Sequence, residues 1–142
     1  MSAAGRIPRD LRYTSNHGWV RLVDGEHAVI GITCHAQDCL RGILSIELPY
    51  VGKFIRQNET VATVETAKTA VEILSPLSGE ILSVNTELRG SPLLLGRDPY
   101  GEGWIAKLRV QNMGEVEGLM DSMEYSKYVC GLSSAFSARR YY

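Results

Sequence analysis

Residues 61–74 read Val61-Ala62-Thr63-Val64-Glu65-Thr66-Ala67-Lys68-Thr69-Ala70-Val71-Glu72-Ile73-Leu74, two arms rich in β-branched residues around a short middle. Such arms favour extended backbone and pair side by side when the chain reverses between them. Val64 and Val71 then bound the reversal, and Thr66, Ala67 and Lys68 occupy its tip in water. A two-stranded hairpin is marginal alone. The rest of the chain must therefore supply more strands, which predicts a mainly β fold.

The flanking sequence does so. Residues 19–22 and 28–32 are strand-like runs either side of Asp24-Gly25, a hairpin signal. Thr33 can cap a short helix over residues 35–40 that Gly42 would stop, and residues 43–48 alternate as a strand ending at Pro49. Gly52, Ile55 and Asn58 recur 27 positions later as Gly79, Leu82 and Asn85, which suggests two similar β-units packed face to face. Residues 90–103 are dense in turn formers, and residues 104–110 alternate again, with Trp104, Ala106, Leu108 and Val110 on one face. Residues 114–129 read as an amphipathic helix, with Val116, Leu119, Met120 and Met123 at helical spacing and Glu115 and Glu117 in its first turn. The expected organisation is a flexible segment over residues 1–9, a single domain over residues 10–130 and a loose tail over residues 131–142.

The 142 residues are enough for one self-sufficient core. Lys and Arg number 15 against 16 Asp and Glu, interspersed, and the one basic doublet is Arg139-Arg140, so no electrostatic footprint for nucleic acid or an anionic membrane is present. No apolar run has the length of a spanning helix, and no export or transit pattern precedes residue 10, so residence in the cytoplasm is expected. Cys34, Cys39 and Cys130 are an odd set, expected to be reduced thiols. Cys34, His35 and Cys39 would lie apart around a helix and no second ligand pair follows, so no metal site is expected. Nucleophile elbow, phosphate loop and His-Glu-x-x-His pair are all missing, and Gly101-Glu102-Gly103 is too short for a dinucleotide fingerprint. His17, His27 and His35 are scattered, and Glu65, Glu72 and Glu80 fit the wet faces of alternating strands.

Lys68 differs by its context. Preceded by Glu65-Thr66-Ala67, followed by Thr69-Ala70-Val71-Glu72-Ile73-Leu74-Ser75-Pro76, with Gly52 sixteen residues before and Gly79 eleven after, it resembles the attachment site of a lipoyl or biotinyl carrier domain. Biotin carriers usually present Met-Lys-Met here, whereas Ala67-Lys68-Thr69 resembles the lipoyl type. Further along, Leu11-Arg12-Tyr13, His17-Gly18-Trp19, Val29-Ile30-Gly31-Ile32-Thr33 with Ala36-Gln37, Glu47-Leu48-Pro49, Ser75-Pro76-Leu77-Ser78-Gly79-Glu80-Ile81 with Val84-Asn85, and Pro99-Tyr100-Gly101-Glu102-Gly103-Trp104 occur in order. Together they resemble the H proteins of the glycine cleavage system over residues 10–130.

That resemblance implies a flattened barrel or sandwich of antiparallel sheets, with a few short helices and a C-terminal helix. It implies a non-catalytic carrier with lipoate amide-linked to Lys68, Glu65 and Gly79 framing the hairpin, and Glu72 and His17 as contacts for the arm. The implied partners are glycine decarboxylase, aminomethyltransferase, dihydrolipoyl dehydrogenase and either a lipoate ligase or an octanoyltransferase with lipoyl synthase, and the implied state is a monomer. Such a carrier shuttles the aminomethyl group of glycine and reducing equivalents between those enzymes. One departure stands out: where the family usually has Glu between His and Trp, this chain has Gly18. In the family that carboxylate belongs to the cleft where the loaded arm folds back. Its loss leaves open an alternative role in lipoate relay or redox response without glycine cleavage.

Overall fold

The computed structural model describes residues 7–33 and 42–139, with side chains through Cys130. The expected helix over residues 35–40, and with it Cys34, His35, Cys39 and Ala36-Gln37, lies outside the described residues, as do Arg140, Tyr141 and Tyr142. Among the described residues nine strands form two antiparallel sheets that do not close into a barrel. The first, in spatial order, contains β1 (Arg12–Tyr13), β2 (Gly18–Leu22), β3 (His27–Ile32), β9 (Ala106–Val110), β8 (Gly79–Val84) and β5 (Phe54–Ile55). The second contains β4 (Ile43–Glu47), β6 (Thr60–Thr66) and β7 (Ala70–Leu74). Short helices α1 (Glu87–Gly90), α2 (Leu94–Arg97) and α3 (Gly114–Glu117) and the longer α4 (Ser122–Arg139) complete the order.

Strand alternation sorts the apolar residues into two cores. Ala28, Ile30 and Ile32 of β3 and Ala106, Leu108 and Val110 of β9 face Ile46, Val64 and Ile73 of the second sheet in the main core. On the opposite face of the first sheet, Trp19 joins Leu11, Tyr13, Tyr125 and Val129 in a smaller cluster that seats α4. Adjacent Trp19 and Val20 are both buried and point to different cores, as a strand covered on both sides requires. The motif Pro99-Tyr100-Gly101-Glu102-Gly103-Trp104 braces this frame. The Trp19 indole donates to the Pro99 carbonyl at 2.9 Å, Arg21 Nη2 donates to the Tyr100 carbonyl at 2.7 Å, and buried Asn85 donates to the carbonyls of Glu102 and Trp104.

Three sequence expectations are corrected. Trp104 does not share a face with Ala106, Leu108 and Val110. It precedes β9 and packs in the smaller cluster, while Ile105 takes the core position. The helix expected over residues 114–129 is two helices, and α4 continues to Arg139. Between them, Met120 exchanges two backbone hydrogen bonds with Tyr13, 2.8 and 2.9 Å, and this bridge to β1 takes the peptide groups a continuous helix would use. The 27-residue repeat is not a pair of facing units, because its copies lie side by side in one sheet, where Ile55 pairs with Gly79. Their punctuating residues also do different work. Gly52 turns at φ +92 and Asn58 sits at φ 71, whereas Gly79 is a strand residue and Asn85 a buried hydrogen-bond donor. At Gly79 a Cβ would lie 2.3 Å from the Arg109 carbonyl oxygen, so β8 reaches β9 only because no side chain intervenes.

Candidate functional site

The second sheet exists largely to carry one hairpin. β6 and β7 pair from Thr60↔Leu74 to Glu65↔Ala70, and buried Val64 opposite Val71 anchors the end nearest the reversal. Beyond that pair the chain leaves the core. Ala67, Lys68 and Thr69 are exposed, and Lys68 stands at the apex. Among the described residues its ammonium has neither an ion-pair nor a hydrogen-bond partner. This is an accessible amine on a fixed support, a geometry suited to carrying an acyl group through an amide.

The tip turns without glycine and without a left-handed residue. Its closure comes from Thr66. The Thr66 N–H donates to the Thr69 carbonyl at 2.8 Å, and Thr66 Oγ1 donates to the same carbonyl at 3.0 Å while accepting from the N–H groups of Thr69 at 3.1 Å and Lys68 at 3.3 Å. Hydroxyl residues close turns in this way because the side-chain oxygen reaches backbone groups two and three positions on. A threonine four residues before the returning strand is the only sequence signal for it.

The other expected site residues divide. Glu65 and Glu72 are exposed on the outer face of the hairpin, since their cross-strand partners Ala70 and Thr63 lie out of register with the inward Val64–Val71 pair. Glu65 accepts from Ser45 Oγ at 3.1 Å and so leans over β4. Gly79 lies at the base, where its bare backbone lets β8 close on β9. His17 is elsewhere. It occupies the turn between β1 and β2 at φ 66, and Nδ1 lies 2.7 Å from the Tyr125 hydroxyl, which is also 2.8 Å from Thr33 Oγ1. Tyr125 stacks on Tyr13 with ring centroids 4.6 Å apart, so α4, β1 and β3 converge on this cluster. No hydrogen bond or ion pair among the described residues joins His17 to residues 65–72.

Gly18 connects the two regions. It is buried, its N–H donates to Thr14 Oγ1 at 2.9 Å, and a Cβ there would point toward that oxygen at 3.3 Å and Pro76 Cβ at 3.9 Å. Pro76 follows β7, so position 18 faces the base of the hairpin that bears Lys68. Ser78, two residues on, is held by the α3 carboxylate of Glu115, which accepts from its N–H at 2.8 Å and its hydroxyl at 2.9 Å. Among the described residues no group of three or more His, Cys, Asp or Glu could hold a metal, and no helix is long and apolar enough to cross a membrane.

Comparison with known proteins points to the glycine cleavage H proteins. The sequence model described as "Glycine cleavage H-protein" matches residues 11–131. The glycine cleavage system H protein of Symbiobacterium thermophilum is 43% identical over 122 residues, 86% of this chain and 94% of the relative. A probable glycine cleavage system H protein from Aeropyrum pernix is 47% identical over 123 residues, 87% of this chain and 85% of the relative. In three dimensions, the crystal structure of a glycine cleavage system H protein from Mycobacterium marinum superposes with a TM-score of 0.76 at 32% identity, covering 85% of this chain and 97% of that one.

Proposed function

The chain belongs to the glycine cleavage H-protein family, and on that premise we propose that it carries lipoate as an amide on Lys68 and serves as the mobile carrier of glycine cleavage. In this reading it passes the aminomethyl group of glycine and reducing equivalents between glycine decarboxylase, aminomethyltransferase and dihydrolipoyl dehydrogenase. It catalyses none of the steps, and it acts as a cytoplasmic monomer. The observation that carries the proposal is the placement of Lys68, exposed at the apex of a supported hairpin with its ammonium uncommitted among the described residues.

Lipoate, when bound, supplies a strained disulfide that accepts a group and two electrons. Everything else asked of the chain is positional. Lys68 supplies the amine, and its amide removes one positive charge from the tip. The Val64–Val71 pair fixes where the arm begins, and anchoring on a rigid support raises the local concentration of the cargo at each docked enzyme. The amine needs an activated acyl group, so a lipoate ligase, or an octanoyltransferase with lipoyl synthase, must precede the cycle.

Intact mass tests the attachment. Chain from cells supplied with lipoate and an attaching enzyme should gain one lipoyl increment that Lys68→Arg lacks, and an unmodified native chain would end the carrier reading.

Gly18 favours one second reading, an H-like lipoyl protein in lipoate relay or redox response. The family's usual carboxylate is missing where position 18 looks toward Pro76, and Glu72 remains as an exposed acceptor on the hairpin. The readings separate by transfer: the carrier takes an aminomethyl group from glycine decarboxylase, whereas the relay protein fails that assay and hands lipoyl groups to other domains. Gly18→Glu should lengthen the life of the loaded state without changing lipoylation, and an unchanged lifetime would sink the argument from the missing carboxylate.

A further inference from the structure

The hydroxyl of Thr66 has all its hydrogen-bonding capacity committed to the apex: its proton goes to the Thr69 carbonyl, and its oxygen accepts the N–H groups of Lys68 and Thr69. Neither a glycine nor a left-handed residue shapes the reversal, and the one backbone bond across it runs from the Thr66 N–H to the Thr69 carbonyl. The residue that must be modified therefore has its own N–H held by a side chain two positions earlier. Ala67 offers no polar side chain, and the Thr69 hydroxyl turns away to the Ala70 carbonyl at 3.4 Å.

Resting on the reading of Lys68 as the lipoyl site, we propose that Thr66 is the positioning residue for its acylation, holding the apex in the conformation an attaching enzyme recognises. The chemistry is simple acyl transfer without redox change. The lipoyl carbonyl carbon, delivered as a mixed anhydride with AMP, forms a C–N bond to Lys68 Nζ. AMP leaves with the electron pair of the broken C–O bond, and the surplus amine proton passes to solvent. Thr66 touches none of these atoms. Its hydroxyl limits the conformations from which Nζ is presented, and a binding-competent conformer populated at fraction f raises the apparent dissociation constant by 1/f. Loss of the hydroxyl thus acts on KM and leaves kcat nearly unchanged, since the bound apex is the same.

The test is ligase-catalysed lipoylation of the purified unmodified chain with lipoate and ATP, followed by intact mass, for the native chain, Thr66→Val and Thr66→Ser. Valine keeps the shape and β-branching and removes only the polar function, while serine keeps the hydroxyl. Thr66→Val should raise KM about tenfold with kcat within about twofold, and Thr66→Ser should stay within about twofold of native in both. Amide exchange of the unmodified chain supplies a readout independent of the ligase: the Lys68 and Thr69 N–H groups should exchange faster in Thr66→Val than in native or Thr66→Ser. Native-like KM in Thr66→Val overturns the inference, as does equal impairment of the valine and serine variants, with the carrier reading intact in either case. A native chain that gains no lipoyl mass removes the carrier reading and the role of Thr66 together, and is distinguished by that absence of mass.

Discussion

Two hairpins of this protein reverse on a side chain rather than on a left-handed glycine, and they use opposite chemistry. Between β2 and β3, the Asp24 carboxylate accepts the N–H groups of Glu26 at 2.8 Å and His27 at 2.9 Å, with the His27 ring beside it. Between β6 and β7, the neutral hydroxyl of Thr66 accepts the N–H groups of Lys68 and Thr69. The carboxylate makes stronger, charge-assisted bonds and is subject to protonation, whereas the hydroxyl makes weaker ones that no ordinary pH alters. The difference bears on what each tip presents. A carboxylate next to Lys68 would offer its ammonium an ion-pair partner. The hydroxyl closes the turn and leaves the amine free of a neighbouring charge at the apex.

Both hairpins stand on one frame, and the largest effects come from breaking it. Gly79→Val puts a side chain where even a Cβ would meet the Arg109 carbonyl oxygen at 2.3 Å, so β8 and β9 must part. The expected loss is about 3 kcal/mol, with Tm lower by roughly 6–12 °C. Thermal unfolding measures it, and a Tm within 2 °C of native on this order-of-magnitude scale would show that the strands part at little cost. Glu115→Ala comes next. Removing the acceptor that holds the Ser78 N–H and hydroxyl should cost about 2 kcal/mol in urea unfolding, because Ser78 is buried and its partner was charged.

Exchanging the closures breaks the comparison itself. Thr66→Asp keeps acceptors for the Lys68 and Thr69 N–H groups, gives up the donor to the Thr69 carbonyl and adds a charge two residues from the lysine. Its stability at pH 7 should lie within about 1 kcal/mol of native. In NMR titration the Lys68 amide of the variant should move with a midpoint below about 4, since hydrogen bonding lowers a carboxylate from its usual range, while the native amide stays still. A native amide that also titrates there would refute the neutral closure.

The same contrast shows what the residue string makes legible. Alternation and turn formers report both hairpins, since everything they need lies within a few residues, and the place of Lys68 at an exposed apex is legible from the two arms around it. The contacts that the string hides join distant positions. Tyr125 meets His17 across 108 residues and Thr33 across 92, and the Tyr13–Met120 bridge divides an uninterrupted amphipathic pattern into α3 and α4. Local periodicity cannot register a bond to β1. Alternation alone places Trp104 with the core, because nothing local marks β9 as starting two residues later. The repeat of Gly52, Ile55 and Asn58 as Gly79, Leu82 and Asn85 shows the converse: like residues recur at a fixed interval yet serve a turn in one copy and a close strand approach in the other.

The smallest effect sharpens the ionic side of the comparison. Hydrogen bonds from the Glu26 N–H first, and then from the His27 side chain, hold the Asp24 carboxyl at about 2, below its ordinary 3.8. A carboxyl depressed in the folded state contributes stability above its unfolded value and loses it as pH falls through the folded one. The Asp24 contribution is therefore complete above about pH 4 and disappears toward about pH 2. Asp24→Asn keeps an acceptor for the two N–H groups and removes the charge, so native and variant urea midpoints should differ most above pH 4 and converge as pH approaches 2. The Asp24 side chain is about half exposed to solvent, which makes that gap small and salt-sensitive. A gap that stays constant from pH 5 to pH 2 would mean that the charge adds nothing to the turn. The two closures would then differ only in which atoms accept, and the neutrality of the Lys68 tip would have to be explained by the lysine alone.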